Sequence, residues 1–154
     1  MRERWVGPFK FSEVLERSID LSFPKPPESE SAYVVTLKAW KRAPSRESVP
    51  LYVGGNTGLS KRFRTRVGDL VADMFGFFGS ETGHHSGGQS VHAYCERNRV
   101  SPLNLFIGWV EGCECHRCLE IELCRSLRPS LNRSAPSRCS RHERRSSSTA
   151  TSHG

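Results

Sequence analysis

A strand that breaks on paired glycines and leads into a strongly basic helix constrains this chain more than any other stretch. It runs from Leu51 to Arg66, LYVGGNTGLSKRFRTR. Leu51-Tyr52-Val53 has strand character, Gly54-Gly55 interrupts it, and Asn56-Thr57-Gly58 makes a turn. The helix that follows carries Lys61, Arg62, Arg64 and Arg66. Such a unit can set an aromatic hydroxyl and a guanidinium beside a phosphate. Two other stretches give it partners: a strand containing Ala32-Tyr33-Val34-Val35, and an acidic helix from Glu120 to Leu127.

The remaining elements follow in order. Residues 1–30 contain a short helix from Phe11 to Leu21 and then the linker Phe-Pro-Lys-Pro-Pro-Glu-Ser-Glu, and are expected to form a packing arm without chemistry. Ala32 to Trp40 reads as a strand, Lys41 to Pro50 as a long polar hairpin loop, and Leu51 to Val53 as the returning strand. Leu59, Phe63, Val67, Leu70, Val71, Met74 and Phe77 fall at helical spacing and define a core stripe. Gly79 to Gln89 reads as a glycine-rich loop holding His84 and His85, Ser90 to Asn98 as a helix, and Leu103 to Val110 as a third strand. A last helix spans about Arg117 to Leu127. The arrangement is an α/β sandwich: a short, mainly antiparallel three-stranded sheet flanked by helices.

Its 154 residues suit one modest domain. No apolar run is long enough to cross a membrane and the first residues do not resemble a secretory leader, so a cytoplasmic, reducing setting is expected. The formal net charge is +7, of which +6 falls in residues 125–154. Residues 133–154 are rich in Ser and Arg, and disorder is expected from residue 143 onward. A nucleic acid is the natural polyanionic partner for such a segment, although a merely solubilising tail has the same composition.

These elements and residues resemble the GIY-YIG nuclease superfamily over residues 31–132. The first signature strand is matched by Ala32-Tyr33-Val34 and the second by Tyr52-Val53-Gly54, while Arg62 falls at the hallmark arginine of the following helix. Glu120, Pro129 and Asn132 reproduce the family's E-x8-P-x2-N spacing. The chain departs from the pattern in its Ala-Tyr-Val first motif, its long hairpin loop, and Gly55 where a basic residue is usual. None of these departures removes a catalytic group.

The resemblance implies a metal-dependent DNA endonuclease. Phosphodiester hydrolysis needs an activated water, neutralised phosphoryl oxygens and a stabilised leaving group. Glu120 would supply the one protein carboxylate to Mg²⁺ or Mn²⁺, with water and phosphate completing the shell. Arg62 would pair with the scissile phosphate, and Tyr33 and Tyr52 would hydrogen-bond the water or the phosphate. Lys61, Arg66 and Asn132 are the candidate substrate contacts, Asn132 having a competing role in tying down the chain after Pro129. A tyrosine is an awkward general base, its ordinary pKa being about 10, and His84 or His85 is a simpler proton acceptor near neutrality.

Six cysteines in a reducing setting argue for free thiols or metal ligands. Cys115 and Cys118 form a C-x2-C pair, and Cys139 with His142 forms C-x2-H further on. Together they are a candidate structural Zn²⁺ site, with Cys113 and His116 as spare ligands. Cys95 and Cys124 read as small core residues. Two readings from other classes compete with the nuclease: a non-catalytic, zinc-stabilised nucleic-acid-binding module with a degenerate site, and a protein-interaction domain whose tail is a docking arm.

Overall fold

The computed structural model describes residues 4–19, 22, 30–56, 62–76, 86–132 and 138–141, with only the backbone described for 18, 19, 56 and 62–67. The elements in chain order are β1 (Arg4–Lys10), α1 (Phe11–Ile19), β2 (Ser31–Thr36), β3 (Pro50–Asn56), α2 (Arg62–Met74), α3 (Ser86–Asn98), β4 (Phe106–Glu111) and α4 (His116–Leu127). The strands make one antiparallel sheet in the order β1-β4-β2-β3. Among the described residues the architecture is therefore α/β with a four-stranded sheet, where three strands were expected.

The additional strand is β1, from the stretch read as an arm. Its pairing with β4 shifts register between Val6 and Phe9, around Gly7-Pro8. Gly7 has φ +106°, and a Cβ there would stand 2.9 Å from the Ile107 carbonyl oxygen, so only glycine fits. Phe9 stacks on Trp109 with ring centroids 5.3 Å apart, which fixes the edge strand to the core.

β2 is buried along its whole length because both sheet faces are covered. Strand alternation sends Tyr33 and Val35 to one face, where Leu70 and Met74 of α2, Val91 of α3 and Phe11 of α1 complete the core. Ala32 and Val34 point to the other face and meet Leu119, Leu123 and Leu127 of α4. Cys95 and Cys124 lie in these two cores, one in each, and burial pushes both thiols up to about 11, with the charge of Glu120 adding to the effect at Cys124.

Several boundaries differ from the sequence reading, and β2 is shorter than expected, running from Ser31 to Thr36 and not on to Trp40. β3 does not break at Gly54-Gly55 but continues to Asn56, its glycines paired with Tyr33 and Ala32 of β2. α3 starts at Ser86, so Gly87 and Gly88 form its first turn and do not belong to a loop. A Cβ on Gly87 would overlap the Tyr52 ring, and one on Gly88 would lie 2.8 Å from the Leu70 carbonyl oxygen. These glycines let α3 approach both β3 and α2. Leu103 belongs to a 3-10 turn, Pro102–Asn104, ahead of β4.

The hairpin loop between β2 and β3 is anchored. Leu37 and Lys38 donate backbone hydrogen bonds to the Val49 and Ser48 carbonyls at 3.0 Å each, and Trp40 buries its ring against Gly108 and Trp5. The free edge of β3 is covered by the chain after Pro129. Ser130 and Leu131 donate to the Pro50 and Leu51 carbonyls, and the Asn132 amide then accepts from the Val53 N–H and donates to the Val53 carbonyl, both at 2.8 Å. An exposed edge that would pair with other chains is thereby capped. Among the described residues no helix is long and apolar enough to cross a membrane.

Candidate functional site

The sequence-selected tyrosines meet on the face of the sheet that α2 and α3 cover. Tyr33 and Tyr52 have ring centroids 6.1 Å apart at 46°. Tyr52 is half-buried against the first turn of α3. Tyr33 is fully buried, and a Cβ on Gly54 would overlap its ring and hydroxyl, so the phenol reaches across the backbone of β3 at that glycine. Its hydroxyl is thus closed to solvent, where a direct contact with substrate or water was expected.

Glu120 arrives from the opposite face. α4 packs on β3 and β2 through its Leu119, Leu123 and Leu127 stripe, which turns Glu120 toward the glycine end of β3. Its Oε2 would stand 2.7 Å from a Cβ on Gly55, and its side chain is 16% exposed. The glycine that departs from the family pattern is therefore the position that gives the carboxylate its room. Arg117, one turn earlier, approaches Oε2 at 4.0 Å.

His116, one helical turn before Glu120, shares this location, with its Cδ2 3.1 Å from the same Gly55 position. Its Nδ1 lies 3.2 Å from Glu30 Oε1, and its backbone N–H donates to Glu30 Oε2 at 3.3 Å. Arg141 Nη1 adds a 2.6 Å contact to Glu30 Oε1, and the Cys113 thiol donates to the Glu30 carbonyl. Partial burial on its own would raise the Glu30 pKa, but the hydrogen bonds from His116 and Arg141 outweigh it and hold the carboxyl below its ordinary value. Sequence reading missed Glu30. It ends a proline-rich linker, its histidine partner lies 86 residues away, and only the charge itself could have drawn attention to it.

Cys115, Cys118 and Cys139 bring their sulfurs within 4.8 Å of one another and could hold a metal ion. The Cys115 and Cys139 sulfurs are 3.7 Å apart. A tetrahedron of thiolates at a zinc bond length of about 2.3 Å has an edge of about 3.8 Å, so this spacing suits zinc. Burial pushes the Cys118 thiol up to about 12, helped by its hydrogen bonds with Cys139 and Cys115. Burial also opposes ionisation of Cys115, but the Cys118 N–H and the Cys139 thiol hydrogen-bond its sulfur and bring its pKa below the ordinary thiol value. Cys113 and His116, the spare ligands, are turned instead to Glu30. Beside the cluster, Cys118, Ile121, Glu122, Arg125, Arg138 and Cys139 line an open groove of about 610 Å³.

The structure thus brings Tyr33 and Tyr52 together on one face of the sheet, places Glu120 on the opposite face at Gly55, and groups Cys115, Cys118 and Cys139 at the start of α4. Asn132 commits both ends of its amide to Val53. Arg62 is the first residue of α2 and Arg66 lies one turn further, each described by its backbone alone. Lys61, His84, His85 and His142 fall outside the described residues. No family model, curated protein or solved structure matches the chain.

Proposed function

We propose that the chain is a metal-dependent endonuclease that hydrolyses DNA phosphodiester bonds, with Glu120 as its single carboxylate on Mg²⁺ or Mn²⁺. The observation that carries this reading is the placement of Glu120. Its carboxylate is largely buried yet held against a glycine, at the end of β3 where Tyr33 and Tyr52 converge from the other side. One carboxylate suits a cation that also takes substrate phosphate and water as ligands. The reading also draws on where the elements that carry the resemblance lie: a Tyr-bearing strand inside the sheet, a hairpin partner with glycines near its end, and an acidic helix whose trailing Asn132 docks on that partner.

Glu120 would hold the cation, which when bound would supply charge for the phosphoryl oxygens and a more acidic attacking water. Arg62, the first residue of α2, pairs with the scissile phosphate. Lys61 and Arg66 hold the flanking backbone. The half-buried Tyr52 hydrogen-bonds phosphate or water, and His84 or His85 removes the water's proton. Tyr33, being buried, acts by fixing the glycine end of β3. The arginine-rich residues 133–154 add sequence-independent affinity for the polyanion. One such site cuts one strand, so the immediate product is a nick.

The thiol cluster takes structural Zn²⁺ through Cys115, Cys118 and Cys139, with His142 as the fourth ligand. It joins the start of the Glu120 helix to the arginine-rich segment. A second reading draws on the closed hydroxyl of Tyr33: a zinc-stabilised nucleic-acid-binding module without cleavage. Magnesium- or manganese-dependent nicking of plasmid DNA, lost in Glu120→Ala, supports the nuclease. Salt-sensitive DNA binding by both proteins, with no cleavage under either ion, supports the module.

A further inference from the structure

We propose that His116 is a second protein ligand of the Glu120 cation, binding through Nε2, and that the site consequently prefers Mn²⁺ to Mg²⁺. This rests on Glu120 being the ligand carboxylate, as argued above, and adds a residue and an ion preference to it. His116 and Glu120 are four residues apart on α4, and so project from one face of the helix one turn apart. Both reach the same point over β3: a Cβ on Gly55 would lie 2.7 Å from the Glu120 carboxylate oxygen and 3.1 Å from His116 Cδ2, the ring carbon bonded to Nε2. Because Gly55 has no side chain, none stands between the two groups.

The other ring nitrogen is already engaged. His116 Nδ1 faces Glu30 Oε1 at 3.2 Å, and Glu30 is held in turn by the His116 backbone N–H and by Arg141. A carboxylate on Nδ1 places the proton there, leaves the Nε2 lone pair for a metal and fixes the ring. The His116 and Glu30 side chains are only 15% and 13% exposed, so the pair is built into the fold and not a chance surface contact. The site is separate from the thiols, since Cys115, Cys118 and Cys139 form their group without His116. An imidazole nitrogen beside one carboxylate suits Mn²⁺ better than Mg²⁺, which takes oxygen ligands.

The test uses the full chain loaded with zinc and titrated with MnCl₂ and, separately, MgCl₂, by calorimetry and by pulsed EPR of bound Mn²⁺. Wild type should bind one Mn²⁺ with ¹⁴N modulation from an imidazole, and more tightly than Mg²⁺. Glu30→Gln should weaken Mn²⁺ about tenfold. His116→Ala should weaken it at least as much and abolish the ¹⁴N signal, with zinc content and circular dichroism unchanged. Bound Mn²⁺ without ¹⁴N modulation in wild type overturns the proposal with no need for a variant, as does a folded, zinc-loaded His116→Ala with wild-type Mn²⁺ affinity. A parallel nicking assay separates the two claims. Mn²⁺ bound through His116 with no nicking under any ion leaves the ligand in place and removes the nuclease reading. Nicking that needs Glu120, with Mn²⁺ indifferent to His116, does the reverse.

Discussion

Gly54 and Gly55 are neighbours on β3, yet a methyl group at each would meet opposite responses. At Gly54 it would overlap the fully buried Tyr33 ring, which has nowhere to move. Gly54→Ala should therefore cost about 3 kcal/mol, read as a lower urea midpoint at unchanged slope. At Gly55 the obstacle is the far end of a flexible carboxylate, 2.7 Å away. Gly55→Ala should change stability by less than about 1 kcal/mol, because the carboxylate can swing aside. Cleavage should nevertheless fall about a hundredfold, since a displacement near 1 Å at a reacting centre costs that much. A Gly55→Ala protein as active as wild type would show that Glu120 is not used where it stands. Asn132 makes a separate case. Its amide completes two hydrogen bonds to Val53, and Asn132→Ala should destabilise by about 2 kcal/mol in the same urea measurement.

At the scale of elements, the thiol cluster links the start of α4 to the segment bearing Arg138 and Arg141. One zinc per chain is expected by mass spectrometry of the metal content. Cys139→Ser should lose that zinc and about 3 kcal/mol of stability when free zinc stands a hundredfold above its Kd. Much of this level could be read in the sequence, because periodicity reports directly on faces. Tyr33 and Val35 alternate with Ala32 and Val34, and Leu119, Leu123 and Leu127 recur at helical spacing, so β2 and α4 were legible. β1 was not, because Gly7-Pro8 interrupts its alternation at the register shift and imitates a linker. Gly87 and Gly88 were read as loop glycines because a residue chosen for close helix packing has the same letter as one chosen for a turn. The Glu30–His116 contact was hidden for a different reason: no local pattern marks a pair 86 residues apart.

The whole molecule is a sheet covered on both faces, with the candidate cation site at the glycine end of β3 and the thiol cluster at the start of the same helix that carries Glu120. Charge is unevenly distributed: +6 of the net +7 lies in residues 125–154, the stretch that also contains Cys139 of the cluster. DNA affinity should accordingly fall steeply with salt whether or not the site cuts. Affinity alone therefore does not distinguish an enzyme from a binding module, and cleavage does. The decisive measurement is plasmid nicking by the purified, zinc-loaded protein in Mg²⁺ and in Mn²⁺, with Glu120→Ala prepared identically beside it. The account predicts conversion of supercoiled to open-circular DNA by wild type, and at least a thousandfold less by Glu120→Ala, a loss of about 4 kcal/mol in transition-state stabilisation. Equal nicking by both proteins, or none by either while both bind DNA, would contradict it.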